Sequence, residues 1–196
     1  GSEMCIRDSL KESGSDADTR KAMLRTDLTT SIEIIDENTF QNNGIPVAKY
    51  FNVNKDGTLP PSKEAYVDFP LFRLGEIYLT YAVAVLRGGQ GGDRATALRY
   101  VNDLRKRAYS DKTLAPISDS DLTLNFIIDE RGREFFFEGQ RRTDLVRFGL
   151  FTTAGYVWPW KGGAAKGKAV ENFYNVFPIP SDDIGSNTNL KQNEGY

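Results

Sequence analysis

The stretch Glu130-Arg131-Gly132-Arg133-Glu134-Phe135-Phe136-Phe137-Glu138-Gly139-Gln140-Arg141-Arg142-Thr143-Asp144-Leu145-Val146-Arg147-Phe148-Gly149 interleaves alternating charge with a solid aromatic block. A solvated charged helix has no use for three consecutive phenylalanines. A plain core helix does not place Glu134, Glu138, Arg141, Asp144 and Arg147 at steps of three and four. Together the two patterns predict a partly buried ion-pair network on two short helices broken at Gly139. Its members are Glu130, Arg131, Glu134, Glu138, Arg141, Asp144 and Arg147. The expected role is structural, because ion-pair networks perturb protonation without doing chemistry. Removing one partner, as in Arg141→Ala or Asp144→Ala, costs about 3–5 kcal/mol if the network is buried.

Helical text extends from this block in both directions. Ser118 or Ser120 is placed to open the helix that runs through Leu124, Ile127, Ile128, Arg131 and Phe135 to Gly139, and Thr143 to Leu150 forms a short one after it. Upstream, Asp68 is placed to cap a helix with Pro70 in its first turn, an apolar stripe at Leu71, Leu74, Tyr78, Tyr81 and Val85, and Gly88-Gly89 at its end. Asp93 caps a second helix whose inner face is Ala97 or Leu98, Val101, Leu104 and Ala108. Two antiparallel helices joined by a short glycine loop read as a tetratricopeptide-like hairpin.

The remaining text lacks helical periodicity. Residues 10–61 are rich in turn signals such as Asn42-Asn43-Gly44 and Pro60-Pro61, with short strands expected at Ile32–Ile35 and Val47–Phe51. Asn52 to Gly57 imitates the start of an EF-hand loop, but Lys63 stands where a bidentate carboxylate is needed, so an Asx-type turn and no metal are expected. After Leu150 come the glycine-rich loop around Trp158-Pro159-Trp160-Lys161, an extended piece from Phe173 to Phe177, Pro178-Ile179-Pro180, and a helical turn at Ser181 to Ile184. The fold class is thus all-α, with tetratricopeptide-like helical hairpins, long irregular loops and few short strands. Residues 10–63 form a loop-rich segment, 64–150 the helical core, and 151–196 an irregular segment of the same domain. Met4-Cys5-Ile6-Arg7-Asp8-Ser9 resembles a translated sequencing adapter, so residues 1–9 are expected to be a non-native leader.

Composition narrows the function. The 196 residues carry a net charge of −2, so no basic stripe for nucleic acid is expected. The chain has no histidine, which removes Ser-His-Asp and Cys-His nucleophile chemistry and His-ligated metals and leaves carboxylates, Lys, Tyr or Ser-Lys pairs. The longest apolar run, Ile77 to Leu86, is too short to span a bilayer. Tyr156, Trp158 and Trp160 are the best ligand candidates, since flat aromatic faces on a proline-bearing loop can stack on sugar C–H faces while Lys161 donates hydrogen bonds. The alternative is that these rings pack on the protein itself or on a partner.

With these pieces placed, the chain resembles the C-terminal part of the SusD/RagB family, nutrient-binding outer-membrane lipoproteins of Bacteroidetes. Four motifs carry the resemblance, in order. They are Phe72-Arg73-Leu74-Gly75-Glu76-Ile77-Tyr78-Leu79-Thr80-Tyr81-Ala82; Val101-Asn102-Asp103-Leu104-Arg105-Lys106-Arg107-Ala108; the Glu130 to Gly149 block; and Pro178-Ile179-Pro180 with Gln192-Asn193-Glu194-Gly195-Tyr196. Asp18-Thr19-Arg20 and Lys49-Tyr50 match more loosely. Val83 departs from the family's usual Glu, Gly132 stands inside a helix, and Glu194 replaces the usual Pro.

The resemblance implies non-catalytic capture of glycans or peptides at the cell surface. It implies delivery to a SusC-like TonB-dependent transporter, membrane attachment only through a lipid anchor outside this chain, and no cofactor. Two rivals belong to other classes. One is a glycoside hydrolase using Glu134 and Glu138 as its carboxylate pair; the other is a tetratricopeptide-type scaffold for protein partners.

Overall fold

The computed structural model describes residues 17–25, 46–61 and 67–196. The expected leader at 1–9, the strand at Ile32–Ile35 and Lys63 lie outside these residues. Two compact units divide the chain, a helical one within residues 6–141 and an irregular one over 142–196.

In the helical unit, α1 (Leu74–Leu86), α2 (Arg94–Ala108) and α3 (Leu124–Glu134) form the core, with α1 packed on both α2 and α3. α2 starts where its sequence dictates, the Asp93 carboxylate accepting the Thr96 N–H at 2.8 Å. Its buried face is Ala97, Val101, Leu104 and Ala108, as the spacing predicts. The hairpin with α1 is closed by aromatic contacts: Tyr78 stacks on Tyr100 at 4.2 Å, Tyr81 meets the same ring edge-on, and the Asp93 N–H donates to the Tyr81 hydroxyl.

α1 begins five residues later than Asp68 predicts, its cap lying at Arg73. Residues 67–70 are not helical, and Arg73 is the N-cap in an extended conformation because its side chain is drawn across to α3. Since α1 packs against two helices, its buried face is Gly75, Leu79, Ala82 and Val83, not the predicted stripe. Phe69, Leu71, Phe72, Leu74 and Ile77 are exposed instead, Phe72 by 83%. An apolar surface of that kind favours association. The purified chain is expected to bind a hydrophobic dye or self-associate at micromolar concentration; a dye-silent, monodisperse monomer in light scattering would overturn this.

α3 also starts later than expected. Thr123 caps it by accepting the Phe126 N–H, while Ser118 closes a separate turn onto the Asp121 carboxylate. Its interior glycine has a use: a Cβ on Gly132 would press on the Arg141 guanidinium at 3.0–3.1 Å, and that guanidinium donates to the Ile128 carbonyl at 2.7 Å. The helix ends at Glu134 and not at Gly139, with Phe137 and Gly139 both in the left-handed region.

Among the described residues, the strand expected at Val47–Phe51 is reduced to one isolated bridge at Val47, and a second bridge forms where no strand was expected. Asp18 pairs with Tyr109, and Leu24 with Val47. They tie residues 17–25 to the end of α2 and to the 46–49 segment, supported by small apolar clusters of Ala17 with Tyr109 and of Met23 with Phe136. The Asn52–Gly57 stretch is an Asx-type turn, the Asp56 carboxylate taking the Thr58 N–H and hydroxyl.

The irregular unit contains α4, which spans Arg141–Arg147 and so begins at the unit boundary, and α5 (Ser181–Ser186). The piece predicted as extended is a 3-10 turn over Asn172–Asn175, where Phe173 and Tyr174 pack on Tyr196. Between two prolines only Ile179 offers a backbone N–H, and the Gln192 amide accepts from that N–H at 2.8 Å and donates to the Ile179 carbonyl at 2.9 Å.

Candidate functional site

Two features carry the candidate residues, one in each unit. In the helical unit the acidic side chains of α3 and the turn after it meet cations from four other segments. Glu130 is fully buried and pairs with Arg20 at 2.7 Å, Arg105 at 3.0 Å and Arg133 at 2.7 Å. Glu134 pairs with Arg20 at 3.3 Å, Arg73 at 2.6 Å and Arg107. Glu138 pairs with Arg73 at 2.6 Å and with Lys49. Burial alone would raise the Glu130 carboxyl, but the guanidiniums of Arg133, Arg20 and Arg105 outweigh it and hold the group at about 2. Burial likewise opposes ionisation of Glu138, and hydrogen bonds from Arg73 and Lys49 pull it below the usual carboxylate range.

The same cations terminate α3. Lys49 and Arg73 donate to the Glu134 carbonyl at 3.3 and 2.7 Å, and Lys49 also donates to the Phe136 carbonyl at 2.7 Å. They satisfy carbonyls that the helix end leaves open and place positive charge at the negative end of its dipole. Gly75 makes the approach possible, since a Cβ there would sit 2.7 Å from an Arg73 nitrogen and 3.3 Å from a Glu134 oxygen.

The other residues predicted for the network lie as follows. Arg131 is buried with its guanidinium 5.0 Å from the Phe135 ring centroid and 3.4 Å from the Thr80 hydroxyl. Arg141 holds the Ile128 carbonyl, and Asp144 pairs with Arg147 at 3.1 Å within α4. Arg20, Lys49 and Arg73 are clamp members that charge spacing along one helix does not reveal, because they arrive from distant segments. Their trace in the sequence is their place in the matching motifs.

In the irregular unit, the loop over 152–170 is built around Lys161. This side chain is 4% exposed, donates to the Thr153 and Tyr156 carbonyls at 3.0 and 2.5 Å, and lies 4.8 Å from the Trp158 ring centroid. Lys161 is therefore an internal strut and not a surface donor. Trp158 is half-buried between Phe151 and Tyr156, while Trp160 is 45% exposed and adopts the left-handed region at φ 67°. Its backbone is held by the Ala164 carbonyl at 3.0 Å. The loop thus presents one free indole from a fixed frame.

The chain matches a known family. A profile described as the SusD family matches residues 33–196, and the chain belongs to that family. It is 48% identical over 155 residues to the starch-binding protein SusD of Bacteroides thetaiotaomicron, a match covering 78% of this chain and 26% of that protein. The chain therefore spans about a quarter of the length of that curated relative. Among solved structures, a SusD superfamily protein from Bacteroides vulgatus aligns with a TM-score of 0.63 at 26% identity, over 93% of this chain and 37% of the other. The surface glycan-binding protein A of Bacteroides thetaiotaomicron aligns with a TM-score of 0.56 at 28% identity, over 79% and 31%.

Proposed function

We propose that the protein captures glycans at the cell surface without turning them over and passes them to a SusC-like TonB-dependent transporter in the outer membrane. The observation that carries this reading is its kinship with a starch-binding protein over 155 residues. Clamp chemistry supports the non-catalytic part. A glycosidase needs one carboxyl held protonated and another free to act on the sugar. Glu134 and Glu138 are both engaged by cations, and Glu138 is held below the usual carboxylate range.

Within this chain the sugar-stacking surface is the loop bearing Tyr156, Trp158 and Trp160, with Trp160 as the outermost ring and Lys161 keeping it in place. Both tryptophans of the chain lie in this loop, so tryptophan emission reads the site alone. Titration with maltoheptaose is expected to quench or shift that emission, with no shorter products released. Trp160→Ala is expected to weaken binding several-fold, as loss of one stacked ring of on the order of 1 kcal/mol implies. Unchanged affinity in the Trp158→Ala, Trp160→Ala double variant would remove the site from this loop. Released products abolished by Glu134→Gln would move the protein to the hydrolases.

A further inference from the structure

At the end of α3 the helical unit contains a cavity of about 400 Å3 that the clamp only partly fills. Tyr50, Lys49, Arg73 and Arg107 contribute to its wall beside Glu134 and Glu138. Among the described residues, three cations there share two carboxylates: Arg107 with Glu134, Lys49 with Glu138, and Arg73 with both. Arg20 also reaches Glu134, but it has Asp18 and Glu130 of its own.

We propose that this cavity binds a carboxylate carried on a sugar-sized ring, a hexuronic acid being the class that fits. Arg107 is the key recognition group. Its side chain is 62% exposed and gives one N–H to Glu134, from a guanidinium that carries five donors in a planar fork suited to carboxylates. Tyr50 supplies an exposed aromatic face for the ring's C–H groups, with the Lys49 ammonium 5.7 Å from its centroid. Met23, Ala48 and Pro70 add an apolar lining. A volume of this size suits a small ligand, and the charged side chains that converge on it beside Tyr50 and this apolar lining fix its orientation.

The inference does not rest on the glycan reading of the tryptophan loop, and its test keeps the two apart. The full chain is titrated calorimetrically with glucuronate, with glucose at equal concentration and sodium sulfate at equal ionic strength as controls. Saturable glucuronate binding at least tenfold tighter than either control is expected. Arg107→Met and Tyr50→Ala, both at exposed positions, are each expected to weaken it about tenfold with helical circular dichroism unchanged. The Trp158→Ala, Trp160→Ala double variant is expected to retain it. Glucuronate binding no tighter than glucose, an equal effect of sulfate, parent affinity in either cavity variant, or loss in the tryptophan variant overturns the proposal.

Discussion

Glu130→Ala is expected to lower the stability of the helical unit by about 3–5 kcal/mol, the penalty for leaving buried charges uncompensated. Glu130 is fully buried, and its removal takes one shared carboxylate from the guanidiniums of Arg20, Arg105 and Arg133 together, although Arg20 keeps Asp18 and Glu134. Arg105 would keep the Ala115 carbonyl and the Tyr109 hydroxyl, but neither carries charge. Denaturant unfolding measures the loss, and Glu130→Gln separates its causes. Gln keeps the shape and an acceptor, so a cost close to that of Ala assigns the effect to charge. An Ala variant within 1 kcal/mol of the parent would mean that the clamp does not stabilise the fold.

The same residue sets an acid limit. Its carboxyl is held at about 2 against an ordinary 4.5, which corresponds to roughly 3 kcal/mol. A depressed folded-state value stabilises most when the group is ionised in both states. The contribution is therefore complete above pH 4.5 and is lost as the pH falls toward 2. In the Glu130→Gln variant, stability is expected to fall less between pH 5 and 2 than in the parent.

Gly167→Ala is expected to break the tryptophan loop. A Cβ at this position would overlap the Trp158 carbonyl oxygen and lie 3.0 and 3.2 Å from the carbonyl carbon and amide nitrogen of the same residue. All three are backbone atoms, so no rotamer relieves the clash, and Gly167 also holds φ at +73°. Overpacking of about 1–3 kcal/mol adds to a left-handed penalty of about 1 kcal/mol. The expected readout is a red shift of tryptophan emission and faster acrylamide quenching, with helical circular dichroism retained. A spectrum identical to the parent's would show that the loop has another arrangement.

The helices were legible in the sequence where periodicity and caps agree, as in α2, whose Asp93 cap and inner face are where the text places them. Boundaries failed where a long-range contact overrides a local signal. Arg73 is drawn to Glu134 and Glu138, which holds residues 67–73 out of the helix that Asp68 and Pro70 advertise, and Lys49 closes α3 early by taking its carbonyls. The ion pairs that the sequence places along one helix are, in Glu134 and Glu138, largely pairs between segments. Spacing reveals partners three or four residues away, such as Arg147 to Asp144, but not partners across the fold. Lys161 reads in the sequence as a surface donor because it stands among glycines. Its burial follows from the loop wrapping around it, which no local pattern encodes.

The span of the clamp also bears on the order of folding. Arg20 reaches Glu130 across 110 positions, and Lys49 reaches the Glu134 carbonyl across 85, whereas the α1–α2 hairpin closes through neighbours such as Tyr81 and Asp93, 12 apart. Long closures cost more chain entropy and are made after short ones. The hairpin is thus expected to assemble first, with the arginines still in water, and the clamp to seal over it late. Interactions absent from the transition state act chiefly on the rate of opening. The clamp would then serve as a latch that sets how long the folded state lasts, more than how fast it is reached.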